Sequence, residues 1–232
     1  VRVPIKIFPI FNPFAAQILL MVQNNTRQLT ISTYRQQGIS LMEKEKLFML
    51  LLGATPKGRH IEQHDIYFGI AENLKDLVPS IIAYWPEANG KIHIDAWREV
   101  TMQDGCKISV VENAAGGQNS EKAGGAHKLF FINLGGYKPN EFEEFHYKML
   151  AVGADKGEAI NQAKQTVFYK HTGFKTAESH IDDKYGVDVD DIHAIEDILP
   201  AAIKEQYSIV ISPAVGAATD ETHLGYFKLD KL

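Results

Sequence analysis

Apolar positions along this chain fall into short runs that appear twice in the same order. Leu47–Leu52, Ile66–Ile70, Leu129–Leu134 and Met149–Val152 are apolar-rich, bounded by glycine and proline, and of strand length. Between them the period changes. Leu74, Leu77, Val78, Ile81, Ile82 and Trp85 recur every three or four positions, as do Ala159, Ile160, Ala163 and Val167. This predicts two amphipathic helices whose stripes pack on a core. Asn73 and Asp155 precede the stripes as N-caps, with Asp76 and Glu158 three residues on as capping-box partners. Pro79 is a misfit, because beyond a first turn it should kink or shorten the first helix.

The duplication is close enough to align. At a constant offset of 82, Leu47 and Phe48 meet Leu129 and Phe130, Leu52 and Gly53 meet Leu134 and Gly135, Glu62 meets Glu144, and His64 meets His146. After the helix the offset grows to 87, which matches His93-Ile94-Asp95 to His180-Ile181-Asp182 and leaves extra residues around His171–Phe174. Each copy reads as strand, strand, helix, strand, strand, with Ile108–Val111 and Ile192–Ile195 as closing runs. Tyr207–Ile211 adds one strand, and Leu224–Leu229 a last edge strand. The expected fold is α+β, with two tandem strand-strand-helix-strand-strand units at 42–112 and 129–212 packed as a pseudo-dimer. A Gly- and Ala-rich linker, 113–128, joins them, and a loosely attached tail, 213–232, follows.

Residues 1–41 fall outside this pattern. Arg2 and Lys6 precede an uncharged stretch, yet Pro9, Asn12 and Pro13 interrupt it and Ile18–Val22 is its unbroken apolar piece. A bilayer span needs roughly 20 apolar residues, so no membrane segment is expected. These residues are expected to be a leader upstream of a working protein that begins near Met42. Net charge of -5, with Asp and Glu 29 against Lys and Arg 24, offers no basic excess for phosphates, and nucleic acid is not an expected partner. The single cysteine, Cys106, excludes an intrachain disulfide and multi-thiolate zinc, fits a reducing compartment, and leads to a cytoplasmic expectation.

Some of these residues also carry a family likeness. Leu134-Gly135-Gly136-Tyr137, Ile61-Glu62-Gln63-His64-Asp65, His93-Ile94-Asp95-Ala96-Trp97 and His180-Ile181-Asp182-Asp183 resemble the bacterial domain of unknown function 1543 family. Its members carry one or two copies of the domain. The resemblance spans Leu47 to about Leu199 and implies an architecture, while assigning no activity and no catalytic residue.

The duplicated polar set is Glu62, His64, His93 and Asp95 in one copy and Glu144, His146, His180 and Asp182 in the other. Residues two apart on a strand share a face, so neighbouring strands would bring two imidazoles and two carboxylates together. That is a sensible first shell for zinc or ferrous iron. Structural His–carboxylate hydrogen bonding explains the same spacing. His60 lies one helical turn from His64, but in a loop entering a strand. The acidic run from Asp182 to Asp191 lacks EF-hand spacing and reads as a solvated turn. No Walker or Gly-x-Gly-x-x-Gly phosphate loop occurs. Two functions follow: a non-catalytic binding or interaction protein with a protein or small-molecule ligand in the groove between the copies, or a metal-dependent hydrolase or oxygenase with one divalent ion per copy.

Overall fold

The computed structural model describes residues 44–113, 127–137, 140–165, 187–214, 216 and 219–232. All of them belong to one compact unit, Glu43–Leu232. In chain order its strands are β1 (Lys46–Ala54), β2 (Gln63–Ala71), β3 (His93–Glu99), β4 (Met102–Gln103), β5 (Cys106–Glu112), β6 (Lys128–Tyr137), β7 (Glu144–Gly153), β8 (Val187–Ala194), β9 (Tyr207–Pro213) and β10 (His223–Lys228). The helices are α1 (Val78–Tyr84), α2 (Lys156–Ala163), α3 (Ile195–Ile198) and α4 (Ala201–Gln206). The fold is α+β, and strands dominate it.

Among the described residues the strands form three sheets, with strand orders β10-β3-β1-β2, β7-β6-β8 and β4-β5-β9. Alternation along the central strands explains how the first two are covered. Phe48, Leu50, Leu52 and Ala54 of β1 turn to one side and meet Leu77 and Ile81. Phe130, Ile132 and Leu134 of β6 likewise meet Ala159 and Ala163 of α2. The other faces look at each other across a shared core containing Leu47, Phe68, Ile70, Leu129, Phe131 and Val152. Phe68 and Phe131 touch there edge to face, with centroids 5.7 Å apart. Each central strand therefore serves two cores, and the face between the sheets is where polar residues beyond the core end converge.

Local chemistry accounts for the helix positions. A 3₁₀ turn, Leu74–Leu77, precedes α1, so Pro79 sits in the first turn of a new helix, where its missing N–H costs nothing. Asn73 N donates to Asp76 Oδ2 at 3.1 Å. In α2, Glu158 N donates to Asp155 Oδ1 at 2.9 Å and Glu158 reaches back to Ala154 N at 2.7 Å. Of the predicted stripe, Leu77 and Ile81 are buried whereas Ile82 is exposed.

Several boundaries differ from expectation. Ile192 belongs to β8 and Ile195 opens α3, so Ile192–Ile195 is no separate closing strand; β5 pairs instead with β9, Cys106 opposite Pro213 through Glu112 opposite Tyr207. Asp188–Asp191 lies within β8, so this part of the acidic run is strand and not turn. The tail is integral: β10 hydrogen-bonds along β3, and Phe227, Leu229 and Leu232 pack on the core under β1. Between β4 and β5 an Asp104-Gly105 turn with positive φ at both residues (51° and 75°) matches a type I′ hairpin. It docks on the edge of β7, where Val152 N donates to Asp104 Oδ2 at 2.8 Å and Gln103 Nε2 donates to Leu150 O at 2.9 Å. Most of the expected linker and the His171–Phe174 loop lie outside the described residues.

Candidate metal centre

Gly53 of β1 sits between His64 of β2 and His93 of β3, paired with both. Its neighbours Leu52 and Ala54 point into the core under the sheet, so the face at Gly53 is the one turned toward the other sheet. No side chain rises from Gly53 itself. A Cβ there would stand on His93 Nε2 and 2.5 Å from Asp95 Oδ2, so the absent methyl makes the floor of a cradle.

A β-bulge sets the third wall. Leu52 pairs with Ile94 and Leu51 with Ala96, leaving Asp95 as an extra residue in β3. This break in the two-residue period lets His93 and Asp95 share a face with Ala96 and Arg98, instead of sending the second pair to the opposite side. Glu62, just before β2, completes the group.

Three of these side chains converge closely, since Glu62, His93 and Asp95 offer ligand atoms within 4.8 Å of one another, and His64 stands at the rim beside both carboxylates. His93 Nε2 lies 3.1 Å from Glu62 Oε1 and 3.1 Å from Asp95 Oδ1. His64 Nε2 lies 3.2 Å from Asp95 Oδ2 and 3.5 Å from Glu62 Oε2. Donors held 2.0–2.2 Å from one ion in tetrahedral or octahedral array stand roughly 2.8–3.6 Å apart, which covers each of these imidazole–carboxylate contacts, while His64 touches the carboxylates without joining the mutually close set of Glu62, His93 and Asp95. His93 is 6% exposed, and its Nε2 and Asp95 Oδ2 have no hydrogen-bond partner among the described residues. Contact without hydrogen-bond alignment leaves a buried nitrogen facing two carboxylates, as metal donors do and satisfied ion pairs do not. The His93 ring is held from behind by Tyr226 of β10, stacked at 4.0 Å between centroids.

The second sheet carries a related group. Gly135 pairs with His146 of β7 and with Asp188 of β8, as Gly53 does with His64 and His93. The register shift between Asn133 and Leu134 makes Asp190 the bulged residue. A Cβ on Gly135 would stand 2.7 Å from Asp190 Oδ1. His146 Nε2 is 3.3 Å from Asp190 Oδ2 and 4.0 Å from Glu144 Oε2. This cradle is more open, with Glu144, His146 and Asp190 all exposed, and the register position of His93 belongs to Asp188.

Six of the eight predicted residues thus gather in two groups: Glu62, His64, His93 and Asp95 in one, Glu144 and His146 in the other. His180 and Asp182 lie outside the described residues, and the sheet supplies Asp190 where the 87-residue offset placed Asp182. The pairing registers relate β3 to β8 at an offset of 95. Tyr226 and Asp190 escaped sequence reading; the only signals were an aromatic in the last edge strand and an acid in an acidic run. Cys106 is buried in the core between the sheets, and burial pushes its thiol pKa up, away from reactivity. Among the described residues, no helix is long and apolar enough to cross a membrane.

Comparison with known proteins adds a fold and a partial family match. No curated protein matches the chain. A crystal structure of protein Il1583 from Idiomarina loihiensis is similar, with a TM-score of 0.51 and 18% identity over 80% of this chain and 97% of that one, a likeness of fold alone. Residues 59–110, which run from the loop before β2 into β5 and carry Glu62, His64, His93 and Asp95, match the family model described as Domain of Unknown Function (DUF1543).

Proposed function

We propose that this chain is a binding protein for divalent transition-metal ions, with zinc and ferrous iron as the favoured class. It holds one ion at Glu62, His93 and Asp95, with His64 beside the two carboxylates, and a second, more weakly, at Glu144, His146 and Asp190. The single observation that carries the proposal is the buried, hydrogen-bond-free Nε2 of His93 facing two carboxylates, with a second imidazole on the same pair. Imidazole nitrogen with carboxylate oxygen suits zinc and iron better than calcium, which takes oxygen alone. The two cradles sit in tandem units packed as a pseudo-dimer. In support, β5 and β9 pair antiparallel about Ser109 and Val210, as equivalent strands meet across a twofold.

One observation favours a hydrolase or oxygenase in place of simple binding. Glu62 and His64 have side chains 42% exposed, so the outer side of the first ion would remain open to water or substrate. In that case the ion supplies Lewis acidity or redox chemistry, and the residues hold and orient it.

Metal analysis with zinc titration of chelator-treated protein tests the proposal. Two ions per chain are expected, with the tighter lost in His93→Ala and the weaker in His146→Ala. Sub-stoichiometric zinc in the folded parent chain overturns it.

A further inference from the structure

Between the sheets, one strand rung from the first cradle, lies a cavity of about 420 Å³. Its wall is apolar, formed by Met49, Leu51, Ile66 and Leu150, with Trp97 and Tyr147 also lining it. Into this wall are set two cations, Arg98 from β3 and Lys148 from β7. Both are half-buried, and burial lowers the pKa of each, opposed by the charges of Asp220 and Tyr147 at Arg98 and of Asp65 at Lys148. Asp220 is engaged elsewhere: its carboxylate accepts from Thr101 N at 3.0 Å, Thr101 Oγ1 at 2.5 Å and Met102 N at 3.2 Å. Among the described residues neither the Arg98 guanidinium nor the Lys148 ammonium makes a hydrogen bond or ion pair. Two partly desolvated cations without a bonded counter-charge are costly unless an anion joins them.

A related cavity lies on the other side of the same interface and provides an internal comparison. It measures about 250 Å³ and is lined by Ile66, Phe68, Phe131, Asp65, Asp191 and His193, among others. By strand register His193, opposite Phe131, takes the position that Arg98 takes opposite Met49. At the offset of 82, Ile66 takes the position of Lys148. This cavity has neither cation and carries two acids, so only one of the pair is built for an anion.

We propose that the larger cavity binds a small organic monocarboxylate, its head on Arg98 and Lys148 and its apolar body along Met49, Leu51 and Ile66. A guanidinium fork matches a carboxylate bidentately, and the cavity falls in the size range of small-molecule sites. The rung of Met49 and Arg98 is four residues from Gly53, roughly 13 Å along the strand. A medium-length chain therefore runs from the cations toward the first cradle.

Octanoate is the probe. It is titrated by calorimetry into the full chain after chelator treatment, so that the result is independent of the proposed metal ions, and Trp97 fluorescence is followed in a Trp85→Phe background. One octanoate per chain is expected, with binding at least ten-fold weaker for octanamide, for Arg98→Gln and for Lys148→Met, and partly restored in Arg98→Lys. Absence of saturable binding, equal binding of octanamide, or unchanged affinity in folded Arg98→Gln and Lys148→Met overturns the proposal. If either variant fails to fold, the octanoate–octanamide comparison in the parent chain decides alone.

Discussion

Replacing Gly53 with alanine adds one methyl group at the most crowded point of the first cradle. The new Cβ would overlap His93 Nε2 and stand 2.5 Å from Asp95 Oδ2 and 2.9 Å from His93 Cε1, all well inside ordinary contact. His93 has little room to retreat, being 6% exposed and stacked on Tyr226. Overpacking of this kind costs about 1–3 kcal/mol, whereas alanine recovers about 0.5–1 kcal/mol of backbone entropy relative to glycine in a strand. The net expectation is a loss of about 1–2 kcal/mol, or a fall of roughly 2–8 °C in Tm for a domain of this size. Zinc affinity should fall at least as far as when a supporting group is lost, about 10–100-fold. Thermal unfolding in chelator and a competition titration with zinc read the two effects separately. Gly135→Ala is the matched comparison: its clash is with Asp190, whose carboxylate is exposed where His93 is buried, and its cost should stay under about 1 kcal/mol. Gly53→Ala with unchanged stability and unchanged zinc affinity would refute the cradle geometry.

Other expectations follow from the same contacts. Tyr226→Ala removes the ring behind His93, and zinc binding should weaken about ten-fold while circular dichroism stays unchanged; equal affinity in the two proteins counts against a positioning role. Deleting residues 223–232 strips β10 from β3 and uncovers the core that Phe227 and Leu232 help close, so chemical denaturation should show a loss of several kcal/mol, in line with about 2–5 kcal/mol for each large apolar side chain removed. Although Asp104 as a residue is exposed in its turn, burial of its carboxyl against β7 pushes the pKa above its ordinary 3.8, opposed by the bonds from Val152 N and Gln103 Nε2. The folded state then holds the proton to higher pH than the unfolded state, so this group's contribution to stability falls as pH rises from 3.8 through the raised value. Asp104→Asn keeps the acceptor for Val152 N and tolerates the positive φ, so denaturation curves from pH 3.5 to 7 should show a variant equal to or more stable than the parent at neutrality and converging with it in acid; a variant clearly less stable at pH 7 contradicts this.

Those features that depend on neighbouring residues were legible in the chain. Most strand positions, the capping residues before the two helical segments and the matched Gly53 and Gly135 follow from local pattern, whereas Pro79, a misfit in one continuous helix, sits in the first turn of α1 because a separate 3₁₀ turn precedes it. What the pattern missed depends on pairing at long range. His93-Ile94-Asp95 and His180-Ile181-Asp182 look alike as tripeptides, but hydrogen bonds to the central strand select Val187–Ala194 as the partner of β6. A bulge is invisible to a two-residue period, because its purpose is to break that period, and Asp95 and Asp190 both occupy bulges. Tyr226 reaches His93 only because the last strand joins β3, a contact across more than 130 residues of sequence.

The bulge also links the two proposals. Were β3 regular through Asp95, with no bulge, a strand that placed His93 on the face between the sheets would send Arg98 to the opposite face, into the core beneath, where Trp97 now packs. With it, a metal-binding end and a cationic end lie on one continuous face, separated by the apolar rung of Leu51, Ile66 and Ala96. In the second sheet the same device brings Asp190 beside His146 and, further along, places His193 where Arg98 would stand. One backbone irregularity, used in both sheets, therefore creates two faces of the same shape, and the side chains at the Arg98 and Lys148 positions decide which of them attracts an anion. Divergence between otherwise matched faces is the expected outcome when one site acquires a ligand that the other does not need, and on that ground the differences between the sheets are more informative about ligand choice than the features they share.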